Sequence, residues 1–261
     1  MSPQPARVVA ILGMHRSGTS CLTGSLQEAG LDLGDCHTWN PYNLKGNREN
    51  QAFVDLHDSI LAANGGAWDA PPGTRVWRQA HRQVARDLLA SHAHLPILGF
   101  KDPRALLLLE GWRELLPNLE CVGIFRHPDA VALSLHNRSR MPREQALLLW
   151  YAYNRILYRE QRRQRFPLLC FDEAEAQFTV KVDKVIGILK LQPPAEPQRF
   201  YDNELRNYSA AGNERLGSVP MSGVNLDGGV AATVGLRKLE VAKPSPITER
   251  HHDDRGQDGI D

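Results

Sequence analysis

Short apolar runs alternate along this chain with stretches whose apolar residues recur every three or four positions. "RVVAIL" (7–12), "PILGFKDPR" (96–104), "LECVGIF" (119–125) and "PLLCF" (167–171) read as strands. Their near-continuous apolar character is that of strands covered on both faces. "TSCLTGSLQEAG" reads as a helix that Gly30 stops. "ENQAFVDLHDSILAANGG" places Phe53, Leu56, Ile60 and Leu61 at helical spacing and ends at Gly65–Gly66. "VWRQAHRQVARDLLASH", "DAVALSLHNR", "REQALLLWYAYNRILYREQRRQR" and "FTVKVDKVIGILKL" complete the helical set, with a short helix between the second and third strands. "AWDAPPGT" is a loop by its Pro-Pro-Gly content.

Strands alternating with helices predict an α/β fold with a parallel central sheet and helices on both faces. Such a sheet aligns the loops after Leu12, Phe100 and Phe125 along one edge. Ligands of open α/β sheets bind outside those carboxyl ends. Beyond Tyr208 the character changes. Residues 209–261 contain no Phe, Trp or Tyr and end "RHHDDRGQDGID". Such a composition cannot bury enough apolar surface to offset chain entropy. The expected organisation is therefore one folded domain over 1–208 and a disordered tail over 209–261.

Composition narrows the partners. The net charge is +1, so no global field favours nucleic acid or an anionic membrane, and any anion site must be local. Cys21, Cys36, Cys121 and Cys170 are scattered and form no C-x-x-C pair, which argues against a metal centre and for reduced, mostly buried thiols. No run reaches membrane-spanning length and no signal-type segment opens the chain, so a soluble, cytoplasmic protein is the expectation.

The candidate chemistry begins at "GMHRSGTS" (13–20), between the first strand and the first helix. Gly13 and Gly18 have the spacing of the nucleotide-binding P-loop, which makes the expected fold a P-loop-type three-layer one. Thr19 stands where that motif has its lysine, and Arg16 appears within the loop instead. Loop amides and the helix N-terminus converge on one place, Thr19 and Ser20 add hydroxyls, and Arg16 adds a permanent planar charge. The competing interpretation is an ordinary Gly-containing turn with capping hydroxyls. ATP and GTP enzymes of this class seat Mg²⁺ on an acidic residue ending a second strand. Here the third strand ends in Arg126, and Asp102 after the second strand lies between Lys101 and Arg104. Cations without metal carboxylates suit a less charged group transferred without metal. A Mg-ATP small-molecule kinase using Asp102, and a non-catalytic nucleotide-binding module, stay open as alternatives.

These blocks resemble the sulfotransferases that use 3′-phosphoadenosine-5′-phosphosulfate (PAPS), most nearly the bacterial sulfotransferase family. "GMHRSGTS" looks like the family's 5′-phosphosulfate loop, and "FRHPDAVALSLHNR" (125–138) like its 3′-phosphate block. "KDPR" (101–104) and "KGNRENQAFVDLHDSIL" (45–61) resemble further blocks of the bacterial branch. The likeness spans roughly residues 7–208. It implies metal-independent transfer of a sulfuryl group from PAPS to a hydroxyl or amine acceptor, which a carbohydrate would satisfy. Carried over by position, His15, Arg16, Ser17, Gly18, Thr19 and Ser20 would cradle the 5′-phosphosulfate, and Arg126 and Ser134 the 3′-phosphate. Arg138, four residues beyond Ser134 on the same helix face, would assist.

A general base must face the acceptor. Glu49, just before the second helix, is the expected base, with Arg16 as its electrostatic partner in catalysis. The alternatives are His15 in the loop and His57 on the helix. Lys101 and Arg104 either contact the sulfonate or an acidic acceptor, or pair with Asp102. Trp39, Tyr42, Trp68 and Trp77 lie in loops where they would line an acceptor pocket or pack as core.

Overall fold

The computed structural model describes residues 3–38, 46–192 and 200. These fall in the first of two compact units of the chain, Met1–Leu216; the second is Gly217–Asp261. The tail expectation, Trp39, Tyr42, Lys45 and most of the "FYDNELRNY" block lie outside the described residues.

Four strands form an all-parallel sheet: β1 (Arg7–Leu12), β2 (Ile97–Lys101), β3 (Glu120–Phe125) and β4 (Leu168–Cys170), in the order β2-β1-β3-β4. All four predicted strands are present. Ala10 of β1 sits between Phe100 of β2 and Cys121 of β3. The order makes β1 a central strand and brings the ends of β2 and β3 to either side of its carboxyl end.

The period-2 alternation of β1 divides the interior. Val9 and Ile11 face a cluster with Leu22 and Leu26 of α1 (Thr19–Glu28) and Phe178, Val182 and Ile186 of α7 (Glu175–Ile188). Val8, Ala10 and Leu12 face the larger cluster. It gathers α2 (Gln51–Ala63), α3 (Gln79–Ser91), α4 (Leu109–Leu115), α5 (Pro128–Ser139) and α6 (Arg143–Arg163). Helices therefore cover both faces, and the architecture is a three-layer α/β fold. Phe53 stacks on Phe100 with ring centroids 4.9 Å apart, and Trp112 packs tilted against both. Fully burying a side chain of this size contributes about 1.5–3 kcal/mol.

Element ends follow local chemistry. Asn50 caps α2 by accepting from the Ala52 amide at 3.0 Å. Pro128 starts α5, where a missing N–H costs nothing. A 3₁₀ turn over Pro103–Leu106 follows β2, with Asp102 as its cap. α1 starts after Gly18, whose backbone is left-handed, with no side chain capping it. Phe200 returns to this helix, its amide donating to Glu28 at 3.1 Å and its ring lying against Gly24.

Candidate functional site

The loop 13–18 leaves the end of β1 and enters α1 under tight backbone constraint. Gly18 has φ +86°, and a Cβ there would drive into the ring of Phe171. A Cβ at Gly13 would lie 2.5 Å from the Ile124 carbonyl oxygen. Arg16, a non-glycine residue, has φ 66°. Left-handed backbone at such a residue costs on the order of 1–3 kcal/mol and is retained where surrounding contacts over-determine it.

Those contacts come from the β3 side. Arg16 Nε donates to Ser134 Oγ at 2.7 Å, joining residues 118 positions apart. Ser134 is buried in α5. Arg126, at the end of β3, is 5% exposed, and its guanidinium lies 3.4 Å from the Arg16 carbonyl oxygen and 3.4 Å from Asp172 Oδ1. It also sits 5.3 Å above the Phe171 ring. Asp172 Oδ2 accepts from the His127 amide at 2.5 Å. Arg138 is exposed in the last turn of α5.

The β2 side is built differently. Lys101 Nζ donates to Glu49 Oε1 at 2.6 Å and to the Asn47 carbonyl at 2.8 Å. The Ser20 hydroxyl donates to that same carbonyl at 3.1 Å. Glu49, Lys101 and the start of α1 are thus drawn together through Asn47. Lys101 does not pair with Asp102, because consecutive residues at a strand end point to opposite faces. Asp102 turns inward instead. Its Oδ1 accepts from Arg104 at 2.9 Å and its Oδ2 bonds His57 Nδ1 at 2.7 Å. Arg104 also donates to Asp58 at 2.5 Å. Burial would raise the Asp102 carboxyl, but the hydrogen bond from His57 and the Arg104 guanidinium hold it well below its ordinary value.

His57 is removed from the list of bases. It is fully buried, and Trp112 Nε1 donates to its Nε2 at 2.8 Å. An indole N–H can only donate, so Nε2 accepts and the ring proton sits on Nδ1, facing Asp102. Trp77 is likewise core, 5% exposed and edge-on to Trp112.

His15 has its ring 4.4 Å from Trp68 and 6.2 Å from Tyr153, whose hydroxyl donates to the Trp68 carbonyl at 2.8 Å. Burial first, then the charges of Arg104, Lys101 and Arg138, hold His15 well below its ordinary value, with Asp102 opposing. Its Nε2 is buried without a hydrogen-bond partner, and so is Ser17 Oγ in the same loop. Orphaned buried polar atoms are uncommon and call for a partner such as water, an ion or a ligand. Thr19 is buried at the loop's exit.

The structure therefore brings His15, Arg16, Ser17, Gly18, Thr19, Ser20, Arg126 and Ser134 to one sheet edge, with Glu49 and Lys101 beside them. Arg104 is engaged by two carboxylates. Phe171 and Asp172 join the site without having been singled out in the sequence. Their signal was "CFDE", an aromatic and an acid directly after the fourth apolar run. Among the described residues, no group of three or more His, Cys, Asp or Glu is gathered to hold a metal ion, and no helix is long and apolar enough to cross a membrane.

Fold and site define a parallel α/β domain with a glycine loop flanked by cations at the carboxyl end of its sheet. No protein-family model and no curated protein matches the chain. Among solved structures, the crystal structure of TT1252 from Thermus thermophilus is similar to it with a TM-score of 0.42 and 16% identity. That match covers 72% of this chain and 97% of TT1252. A likeness of this depth bears on neither activity nor ligand.

Proposed function

We propose that this chain is a sulfotransferase that moves a sulfuryl group from PAPS to a hydroxyl acceptor. The observation that carries the reading is the 2.7 Å bond from Arg16 to Ser134. It joins, in one place, the two blocks that resemble the family's 5′-phosphosulfate and 3′-phosphate elements. The orphaned Ser17 hydroxyl and the glycine at 18 suit an anion in the loop.

PAPS supplies a sulfuryl group already activated by its phosphate leaving group. The loop amides, Ser17 and Arg16 would bind the 5′ end, and Arg126 with Ser134 the 3′-phosphate. Glu49 takes the proton of the acceptor hydroxyl as the acceptor O–S bond forms and the donor O–S bond breaks. Lys101 fixes the Glu49 carboxylate and remains beside the transferring group. Arg16 stabilises developing charge and stays protonated throughout.

A Mg-ATP kinase would need Asp102 on the metal, and Asp102 is fully buried with both oxygens engaged. Incubation with radiolabelled PAPS in EDTA, and in parallel with γ-labelled ATP and Mg²⁺, over one panel of hydroxyl acceptors tests the reading. Label moving from PAPS alone is the expected result. Label moving from ATP overturns it in favour of the kinase.

A further inference from the structure

Gly24 stands in the middle of α1, where a glycine weakens a helix. Residue 200 explains its place. A Cβ at Gly24 would run into the Phe200 ring, and the Phe200 amide donates to Glu28 Oε2 at 3.1 Å, one turn further along the helix. The chain after α7 also meets α1 at its far end, where the Gln192 amide donates to the Ala29 carbonyl at 3.1 Å. Ala29 and Gly24 are separated by about 7.5 Å along the helix axis. The anchor at Gly24 is therefore the one nearer the loop 13–18.

The Phe200 ring carries Arg48. The Arg48 guanidinium carbon lies 4.8 Å from the ring centroid, and its Nη1 donates to Gln27 Oε1 at 3.0 Å. Its Nε is buried without a hydrogen-bond partner. Arg48 is a non-glycine residue at φ 56°, and left-handed backbone persists there only where neighbouring contacts impose it. Two backbone bonds contribute: the Arg48 amide donates to the His37 carbonyl and the His37 amide to the Glu49 carbonyl, both at 3.0 Å. Gln27 and Phe200 hold the side chain. Arg48 stands between Asn47, whose carbonyl receives Ser20 and Lys101, and Glu49, whose carboxylate receives Lys101. Loss of the ring against Arg48 therefore loosens the segment that aims Glu49.

We infer that Phe200 is a positioning residue for Glu49: seated against Gly24 of α1, its ring holds Arg48 and with it the left-handed turn that presents the Glu49 carboxylate to Lys101. The catalytic consequence rests on the proposed sulfotransferase reading, in which Glu49 takes the acceptor proton. The anchoring of residues 46–50 does not rest on it. A guanidinium is attracted to the negative face of an aromatic ring, so the ring itself and not only its bulk fixes Arg48. A displaced general base leaves the nucleotide bound, and the loss falls on turnover rather than affinity.

The test compares Phe200→Ala, Phe200→Tyr and Gly24→Ala with the parent in the full chain. Hydrogen exchange is read at the His37 and Arg48 amides, with the amides of β2 and β3 as reference. Phe200→Ala should speed exchange at His37 and Arg48 by about fivefold or more and leave the strand amides unchanged. Gly24→Ala, which wedges the intact ring away from α1, should do the same, and Phe200→Tyr should match the parent. In label transfer from PAPS, Phe200→Ala and Gly24→Ala should lose about tenfold in kcat with KM for PAPS unchanged. Their melting shift with adenosine 3′,5′-bisphosphate should equal that of the parent. Unchanged exchange at His37 and Arg48 overturns the inference, as does an equal rise in the strand amides or a normal kcat in variants whose amides have loosened. Absence of label transfer in the parent chain would instead strike the sulfotransferase reading, and the exchange comparison would still decide whether Phe200 holds the Glu49 segment.

Discussion

The two flanks of the loop 13–18 use the same residue types to opposite ends. On the β3 side, Arg126 and Arg16 meet a hydroxyl and a backbone carbonyl, with Asp172 at 3.4 Å. On the β2 side each cation has a close carboxylate: Lys101 with Glu49 at 2.6 Å, and Arg104 with Asp102 and Asp58. The Arg16 bond to the Ser134 hydroxyl is a neutral contact that an arriving anion can take over. A cation locked to a carboxylate mainly fixes that carboxylate's position. On the proposed reading the first flank takes the phosphorylated donor, and the second holds the base and braces the fold. The buried chain Arg104–Asp102–His57–Trp112 ties the end of β2 to α2 and α4, and Glu49 lies immediately before the start of α2.

Substitutions can break that contrast. Asp102→Asn should have the largest effect on stability, about 3–5 kcal/mol, because it leaves Arg104 and His57 without their buried partner. Urea unfolding of the variant measures it. The same carboxylate predicts an acid limb. Its folded value lies below the unfolded one, so its contribution is complete above roughly pH 4 and is lost as pH falls below that. Asp102→Asn should flatten that part of a stability-versus-pH curve. Glu49→Gln should cut sulfuryl transfer by about 10²–10⁴-fold, the usual contribution of a general base, while nucleotide affinity stays unchanged. Normal turnover would move the base elsewhere, with His15 next in line.

On the other flank, Arg126→Ala should weaken adenosine 3′,5′-bisphosphate by about 1.5–3 kcal/mol in a calorimetric titration and leave AMP nearly unaffected. Equal loss for both nucleotides would deny Arg126 its role at the 3′-phosphate. Ser134→Ala should be the smallest, about 1 kcal/mol in bisphosphate affinity, since it removes one hydroxyl.

Much of this arrangement was readable from local pattern. The four strands announce themselves as continuous apolar runs, and a parallel sheet must align their following loops, so Arg16 and Arg126 were bound to share an edge. What escaped were contacts fixed by long-range geometry. β4 is only three residues long, and nothing local says that its end lies against β3, which is what brings Phe171 and Asp172 to Arg126. Lys101 and Asp102 are neighbours in sequence, yet strand alternation separates them. Choosing Glu49 as the partner of Lys101 needs the fold-back of residues 46–50, where Arg48 and Gly46 both have positive φ. His57 looked like a helix residue within reach of the pocket. Only its bond from Trp112, 55 positions away, makes it core.

On the proposed reading, the β3 flank and the loop together hold a 3′-phosphorylated nucleotide without metal. Thermal melting of the full chain in EDTA with adenosine 3′,5′-bisphosphate tests it most directly, beside AMP in EDTA and ATP with Mg²⁺. A ligand at a hundred times its Kd stabilises by about 2.7 kcal/mol, enough for a shift of several degrees. That shift is expected for the bisphosphate in EDTA, with little for AMP or Mg-ATP. No shift with the bisphosphate, or a larger one with Mg-ATP, would contradict that reading.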